Sequence, residues 1–378
     1  TLHKEHGESL QYESSLVFEN VPADEPQGGD KETHIDALIE NARKLLGEKY
    51  GLVFKAGLET ILQDIREDLG EFGVEFDVWF SELSLTSGEN AVASTIAALQ
   101  EKGVIEERDG ALWFKSTDYG DDKDRVVTRD NGLTTYFASD IAYHRNKFER
   151  GFDRVIDVWG ADHHGYIARV NAALEAQGLD PNKLTVKLIQ MVSLFRGSEP
   201  VKMTTRGGMY VTLRELREGV GNDAARFFYI MKKVDQATEF DLELAKSQTK
   251  DNPVFYIQYA HARVCSVQRK LEERKWQWNK ELGLAATSAL TEDSEKAIMT
   301  QLARYPEVLM AASNNLEPHS LANYLRELAG DFHSYYNATK VLVDDEALRN
   351  ARIALSEAVR QVIKNGLDLL GVSSPEEM

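Results

Sequence analysis

Hydrophobic positions recur at helical spacing in the first part of the chain, after a polar lead-in of about 32 residues that is predicted to be a loop. The first amphipathic series begins at Ile35, and its apolar positions are Ile35, Leu38, Ile39, Ala42, Leu45 and Leu46. A second amphipathic helix is predicted for residues 58–69. Two helices therefore precede the first strand pattern.

A mixed pattern follows these helices. Residues 91–102 predict a short helix, and two apolar runs at 104–105 and 111–114 lie on either side of Asp109-Gly110. An Asp-Gly pair between such runs is typical of a two-residue β-hairpin turn. The segment is therefore predicted to be an inserted α+β unit.

The middle of the chain alternates between strand and helix patterns. Residues 155–159 are rich in β-branched and aromatic side chains, residues 167–176 predict a helix that ends at Gly178, and residues 184–192 predict a second strand. Strand, helix and strand at this spacing predict a parallel βαβ unit, in which ligands gather beyond the carboxyl ends of the strands.

Strand patterns end near residue 250. Asn252-Pro253 marks the boundary, and four amphipathic helices are predicted beyond it, at residues 255–276, 292–311, 318–337 and 346–370. The predicted fold class is therefore α/β followed by an all-α module.

Composition narrows the class of protein. The 378 residues suit two or three domains, and a net charge of -18 argues against indiscriminate binding of nucleic acid, so DNA is not an expected partner and any RNA contact is local. The chain has one cysteine, Cys265, and no apolar run of the ~20 residues that span a bilayer. Its start does not have the pattern of a signal peptide. We expect a cytoplasmic monomer that does not associate with membranes.

Residues 132–140 are predicted to run from a strand into a helix that begins near Ser139. Asp140 would then lie in the first helical turn, where the helix dipole favours the ionised carboxylate, with Tyr136 nearby as an aromatic wall and hydroxyl donor. Such a carboxylate suits a guanidinium or ammonium group. The alternative is that Asp140 only accepts hydrogen bonds from the N–H groups of its own helix.

A polar turn follows the first strand of the βαβ unit and contains Gly160, Asp162, His163, His164 and Gly165. Two histidines and an aspartate suggest a metal, but neighbouring side chains in a turn diverge and no further cluster completes a tetrahedral set, so no tightly bound metal is expected. Hydrogen bonds from neutral histidines to a ribose, a phosphate or a polar substrate are the favoured interpretation. A turn with incidental histidines is the alternative.

The loop after the second strand combines two cations with two glycines in the order Lys202-Met203-Thr204-Thr205-Arg206-Gly207-Gly208. Beyond it, Thr212 and Glu215 are predicted to form a capping box at a helix N-terminus. Because the glycines let the backbone approach an anion and the cations supply charge, the loop suits a polyphosphate. On the loop alone, a basic hairpin turn with Gly-Gly at its tip is an equally good interpretation.

The first helix of the C-terminal module carries a basic cluster. Its members, on or just beyond residues 255–276, are Arg263, Arg269, Lys270, Arg274, Lys275 and Lys280. They locally reverse the acidic balance and suit RNA phosphates. A solvated helix face, with Glu272 and Glu273 interspersed, is the alternative.

Taken together, these segments resemble class I aminoacyl-tRNA synthetases, and arginyl-tRNA synthetases in particular. Residues 202–206, KMTTR, resemble the KMSKR motif of that class. The other matching blocks are TYFASDIAYH (135–144), VWGADHHGY (158–166), GNDAARFF (221–228), NPVFYIQYAHAR (252–263) and the tail ending in Glu376-Glu377-Met378. The similarity covers most of the chain from about Ile35 onward, and the combination is much more specific than the loop alone.

The resemblance implies a two-step reaction. ATP, as its Mg²⁺ complex, and L-arginine form arginyl-adenylate and pyrophosphate, and the arginyl group then passes to the terminal ribose of tRNA(Arg). It implies that arginine is bound by Tyr136, Asp140 and His163. The implied ATP contacts are Gly160, Asp162, His164, Lys202, Met203 and Arg206, of which Lys202 and Arg206 are the implied catalytic residues.

The resemblance also implies where the tRNA binds and how the chain is divided. The implied tRNA contacts are Arg263, Lys270, Arg274, Tyr336 and Met378, the last two against the anticodon loop. Residues 1–130 would be the lead-in and the α+β insertion of a Rossmann-type catalytic domain. Residues 131–250 would be its second half, with the KMSKR-like loop, and residues 251–378 an α-helical anticodon-binding domain.

The chain departs from the family pattern at two points. Thr205 stands where KMSKR has its second lysine, and no HIGH-like motif occurs in the sequence. We therefore expect the chain to be the C-terminal portion of a longer protein, inactive or weakly active by itself.

Three other classes of protein make different demands on the sequence. A non-catalytic tRNA-binding or regulatory protein derived from a synthetase is the main alternative. A cysteinyl-type synthetase would need zinc ligands that Cys265 alone cannot supply, and a plain nucleotidyltransferase gives no reason for the helical tail.

Overall fold

A computed structural model of the protein describes residues 2–201 and 211–378, and it forms two compact units, Thr1–Glu75 and Phe76–Met378. Within the described residues, no helix combines the length and hydrophobicity that crossing a bilayer requires.

The first unit is helical. Its helices are α1 (Leu2–His6), α2 (Ser14–Val17), α3 (Lys31–Leu46) and α4 (Tyr50–Glu71). The two predicted amphipathic helices are confirmed, and Asp30 caps α3 by accepting a hydrogen bond from the backbone N–H of Thr33. The lead-in was predicted to be only a loop, which is wrong where α1 and α2 form. Helix α4 also begins eight residues earlier than predicted, because Gly51 and Gly57 weaken its helical pattern without ending the helix.

The second unit opens with the predicted α+β segment. It comprises α5 (Ala91–Glu101), β1 (Ile105–Arg108), β2 (Ala111–Phe114) and β3 (Arg125–Thr128). Arg108 pairs with Ala111 across the hairpin, so Asp109 and Gly110 form a two-residue turn, with φ of 50° and 77°. The hairpin is confirmed, and β3, a strand beyond the two predicted ones, extends it to a three-stranded antiparallel sheet.

A parallel βαβ unit follows, as predicted. Helix α6 (Tyr136–Glu149) precedes it, and its elements are β4 (Val155–Gly160), α7 (Tyr166–Gln177) and β5 (Leu184–Ile189). Helix α7 ends at Gly178, whose φ of 80° is left-handed. Val155 and Asp157 are buried while Ile156 and Val158 are exposed, so one face of β4 packs inward.

The predicted strand at 184–192 is two strands. After β5 the chain turns at Gln190 and Met191, and β6 (Val192–Arg196) joins another sheet with β7 (Glu199–Pro200) and β8 (Thr238–Asp241). The Gln190 N–H donates to Val234 O, and the Gln190 side chain accepts from the Met191 N–H. These hydrogen bonds replace the ladder that a continuous strand would need.

The helices between the sheets and the C-terminal module are α8 (Leu213–Val220), α9 (Asn222–Ile230) and α10 (Leu242–Lys246). The capping box predicted for Thr212 and Glu215 is present at the start of α8.

The C-terminal module is all helical, as predicted. It contains α11 (Pro253–Glu273), α12 (Lys280–Ala285), α13 (Asp293–Asn315), α14 (Pro318–Ala338) and α15 (Glu346–Leu370). The four predicted helices are confirmed, and α12 is additional. The core of the C-terminal module contains fully buried apolar side chains, among them Leu325, Leu328, Phe332, Val359 and Ile363.

The segment after α15 is fastened to α9 and α11. The Asp223 carboxylate accepts from the Ser373 N–H at 3.0 Å, and from the Ser373 hydroxyl. The Gln258 amide donates to Asp223 and to Ser373 O, and Arg226 donates to Leu370 O at 3.2 Å. Side chains distant in sequence thereby join the end of α15 to the α/β part.

Candidate functional site

Two adjoining cavities lie beside helix α6. The larger, about 330 Å³, is lined by Asp140, Tyr143, His144, Lys147, Trp159, His163, Tyr166 and Val170. The smaller, about 250 Å³, is lined by Phe80, Glu82, Leu85, Tyr136, Ser139, Asp140 and Tyr143. Asp140 and Tyr143 line both cavities, which places the Asp140 carboxylate at their common wall.

The position predicted for Asp140 at the start of a helix is wrong. Helix α6 begins at Tyr136, so Asp140 lies beyond the first turn, and that turn contains no acidic residue. Ser139 resembles an N-cap in sequence, but Thr135 occupies that position and its hydroxyl bonds Val126 O instead. The effect of the helix dipole is confined to the first turn, so the dipole does not account for the ionisation of the Asp140 carboxyl.

Burial governs the charge of Asp140. Burial raises the pKa of this carboxyl, the positive charges of His144, Lys147 and Arg169 lower it, and the nearby Glu82 raises it further. A partly buried carboxylate that lines a cavity, and whose pKa is shifted by neighbouring charges, is typical of a ligand-binding position.

The other two side chains predicted to meet Asp140 are divided between the cavities. His163 lines the larger cavity with Asp140, and its ring centroid lies 5.9 Å from that of Tyr166. Tyr136 lines only the smaller cavity and is 82% exposed. The structure thus brings Asp140 together with each of them, but not all three into one cavity.

The sequence pattern gave no role to a buried network beside the larger cavity. His144 Nε2 lies 2.7 Å from Asp157 Oδ2, and Lys147 Nζ lies 2.6 Å from Asp157 Oδ1. Two sequence signals could have found it. His144 and Lys147 follow Asp140 by four and seven residues, which is one helix face, and Asp157 is a carboxylate inside a strand of apolar residues.

The turn between β4 and α7 separates its two histidines, as the sequence predicted. His163 faces the larger cavity, whereas His164 lines two other cavities. Asp162 is mostly exposed and its carboxylate lies 3.9 Å from His163 Nε2. Among the described residues, no group of three or more histidine, cysteine or acidic side chains is arranged to hold a metal ion.

Gly160 allows Asp162 to approach the end of β4. A Cβ atom added at Gly160 would lie 2.5 Å from Asp162 Oδ1, closer than real Cβ contacts allow.

The predicted phosphate loop follows later in the chain. Lys202, Met203 and Arg206 lie outside the described residues.

The basic cluster of α11 lies beside aromatic side chains of α11 and α14. The Arg263 guanidinium lies 4.7 Å from the ring centroid of Tyr259 and 5.1 Å from that of Tyr336. A groove of about 220 Å³ next to it is lined by Val267, Lys270, Arg274, Tyr336, Thr339, Lys340, Val341 and Leu342. Four of the five residues predicted to contact tRNA therefore lie together.

The tail beyond Ser373 lies along α11. His261 Nδ1 is 2.9 Å from Pro375 O, and Arg269 donates to Glu376 O and pairs with the Glu377 carboxylate at 3.2 Å. Met378 is 49% exposed. Arg269 is thus engaged by the tail, whereas Lys270 lines the open groove.

Models of two protein families match the chain. Residues 39–248 match the catalytic domain of class I tRNA synthetases of the arginine type, and residues 257–378 match the DALR anticodon-binding domain. Residues 249–256, which include the start of α11, separate the two matched ranges.

Curated relatives match along the whole chain. An arginine–tRNA ligase of Thioalkalivibrio sulfidiphilus is 60% identical over 379 residues, and one of Legionella pneumophila is 55% identical over 375 residues. These alignments cover 100% and 99% of this chain. The chain spans 64% of the length of each relative.

Solved structures share the fold. A structure described as an arginyl-tRNA synthetase of Campylobacter jejuni superposes with a TM-score of 0.79 at 30% identity, covering 98% of this chain and 80% of its own. A methionyl-tRNA synthetase of Mycobacterium tuberculosis has a TM-score of 0.62 at 11% identity, covering 90% and 81%, which shows a common fold alone. The chain belongs to the arginine family of class I tRNA synthetases.

Proposed function

We propose that the protein, in its full-length form, attaches arginine to tRNA(Arg) at the expense of ATP. The arginine carboxylate attacks the α-phosphorus of Mg²⁺-bound ATP, forming arginyl-adenylate and releasing pyrophosphate. A hydroxyl of the terminal ribose of tRNA then attacks the activated carbonyl, and AMP leaves. Neither step needs a nucleophile from the protein, so the protein acts by positioning the reactants and stabilising charge.

The observation that carries the proposal is the Asp140 carboxylate at the wall of a cavity lined by aromatic rings. A guanidinium is planar and permanently charged, so a fixed carboxylate selects it over neutral side chains. We assign Asp140 to the arginine side chain. His163 and Tyr136 complete the arginine site from the two adjoining cavities, with substrate bridging them.

We assign ATP to the carboxyl end of β4, where ligands of parallel α/β sheets gather. The proposed contacts in the described residues are Gly160, Asp162 and His164. Lys202, Met203 and Arg206 are proposed to contact the ATP phosphates, with Lys202 and Arg206 stabilising the negative charge that develops there.

We assign the C-terminal module, residues 251–378, to the tRNA. Arg263, Lys270, Arg274 and Tyr336 offer cations for phosphates and a ring for stacking on an unpaired base, and Met378 offers an apolar contact. The preceding residues, 1–130 and 131–250, are proposed to form the insertion-bearing and the loop-bearing parts of the catalytic domain. We expect the protein to act as a monomer in the cytoplasm and not on DNA.

The test is a charging assay of the full-length protein with radiolabelled arginine, ATP, Mg²⁺ and a tRNA(Arg) transcript. We expect acid-precipitable radiolabel that depends on ATP. No label should be attached when labelled lysine or citrulline replaces arginine, since lysine lacks the planar guanidinium and citrulline lacks its charge. Binding of the transcript without charging would contradict the proposal and support a non-catalytic tRNA-binding protein instead.

A further inference from the structure

His144 is a buried histidine between the proposed arginine carboxylate and the sheet. It lies on α6, one turn after Asp140, and is 4% exposed. Its Nδ1 is 2.8 Å from the backbone oxygen of Asp140, and its Nε2 is 2.7 Å from Asp157 Oδ2 on β4. The imidazole therefore connects the turn that carries Asp140 to a carboxylate of the central strand.

Both ring nitrogens of His144 face oxygen atoms. The Asp140 backbone oxygen can only accept a hydrogen bond, so Nδ1 carries a proton. Burial alone would raise the pKa of Asp157, but hydrogen bonds from His144 and Lys147 lower it below its ordinary value. An ionised Asp157 also only accepts a hydrogen bond, so both ring nitrogens of His144 are placed to donate.

The charges that face Asp140 come from several elements. His144 and Lys147 lie on α6, Arg169 lies on α7, and Glu82 lies in the turn before α5. Asp157, on β4, holds both His144 and Lys147. The remaining titratable lining groups are His163 and the tyrosines Tyr136, Tyr143 and Tyr166. Among the described residues, His144 is the one of these three basic side chains that bonds the backbone oxygen of Asp140. It also lowers the pKa of the Asp140 carboxyl, which burial raises.

We propose that His144 is a positioning residue for Asp140, fixing the helical turn that carries this carboxylate and supplying the positive charge that keeps it ionised for a cationic substrate. The proposal rests on the assignment of Asp140 to arginine in the proposed function. Asp157 orients the imidazole ring through its hydrogen bond with Nε2.

The test is the variant His144→Gln in the full-length protein, with steady-state charging measured against arginine concentration and pH. Glutamine fills similar space but is neutral and cannot donate in both directions. We expect KM for arginine to rise about tenfold near pH 7 while kcat stays within about twofold, because the lost interaction serves binding of the arginine side chain.

The pH profile separates this role from a structural one. In the wild type, kcat/KM for arginine falls as pH falls through the pKa of Asp140, since the protonated carboxyl cannot pair with a guanidinium. In His144→Gln this pKa is higher, so the fall begins at higher pH. Asp140→Asn is expected to lack this acidic limb, which identifies the titrating group.

Lys147→Met is the comparison variant, because Lys147 bonds the same Asp157 carboxylate without touching the Asp140 backbone. We expect a smaller shift of the acidic limb in the same direction. If thermal unfolding shows that His144→Gln does not fold, His144→Asn takes its place with the same expected shift.

The outcomes are distinguishable. Wild-type protein that charges arginine, with an acidic limb unmoved in the His144 variant, would overturn the role of His144 alone. A uniform loss of kcat with unchanged KM would also overturn it. Failure of the wild type to use arginine would overturn the proposed function and this inference together.

Discussion

At the scale of the residue, the charge of the Asp140 carboxyl depends on its burial and on the charged side chains around it. The residue type and its neighbourhood on α6 identify it as a candidate for a cation. The state of its carboxyl depends on burial and on charges from α7 and the turn before α5, which no local pattern specifies. The signals that mark His144 and Asp157 individually do not pair them, since the two residues are 13 positions apart and meet only when α6 packs on β4.

Asp140→Asn tests the proposed arginine site directly. We expect kcat/KM for arginine to fall about 100-fold, because a charge-assisted hydrogen bond is lost while the shape is kept. The loss should lie mainly in KM, measured by arginine-dependent charging. Asp180→Asn is the matched control, since Asp180 only caps a short 3₁₀ helix, and its kinetics should stay within about twofold of wild type. Equal kinetics for both variants would remove Asp140 from the site.

Gly160→Ala tests the turn after β4. The added methyl would meet Asp162 Oδ1 at 2.5 Å, and the exposed Asp162 side chain can rotate away. We therefore expect a small loss of stability, below about 1 kcal/mol, together with a several-fold higher KM for ATP. Gly165→Ala, whose Cβ would meet nothing within 4 Å, should leave KM for ATP unchanged. A normal KM in both variants would argue against an ATP contact at Asp162.

At the scale of elements, periodicity predicted the long helices and the hairpin well. It failed where elements are short or interrupted, as at α1, α2 and α12, which have too few residues for a periodic pattern. The break between β5 and β6 was also missed, because the Gln190 backbone N–H donates to a residue 44 positions later. Sheet membership is a tertiary property, and a run of β-favouring residues does not determine it.

The junction between α10 and α11 gives a prediction at this scale. The Asn252 side chain is buried, accepts from Val254 N and Phe255 N, and donates to Ala245 O and Ser247 O. Asn252→Ala leaves these groups without partners, so we expect a loss of about 3 kcal/mol in free energy of unfolding. Asn279→Ala, which removes the cap of α12 through Leu282 N, should cost about 1 kcal/mol. Urea denaturation measures both, and equal losses would contradict this account.

At the scale of the whole molecule, the sequence predicted the order of an α/β part and a helical module. The compact unit formed by residues 1–75 ends where the mixed α+β pattern follows the two amphipathic helices. A net charge of -18 coexists with a groove lined by Lys270 and Arg274, so overall charge did not predict the local surface.

This groove gives a prediction for the tRNA. We expect Lys270→Ala to weaken binding of a tRNA(Arg) transcript about threefold and to reduce the slope of log K against log salt by roughly 0.7 to 0.9, because one phosphate contact is lost. Lys364→Ala is the control, since Lys364 pairs with Asp368 on α15. Its slope should equal that of wild type in filter binding from about 50 to 200 mM salt. Identical slopes for all three proteins would exclude Lys270 as a phosphate contact.

The attachment of Ser373 to Asp223 bears on how the chain folds during synthesis. The two residues are 150 positions apart. At about 5–20 residues per second, a ribosome releases the second roughly 8 to 30 s after the first. Throughout that interval Asp223 has no Ser373 to bind, so α9 cannot reach its final arrangement while the helical module is still being made. A nascent chain stalled before residue 370 should therefore be more sensitive to protease around α9 than the released protein.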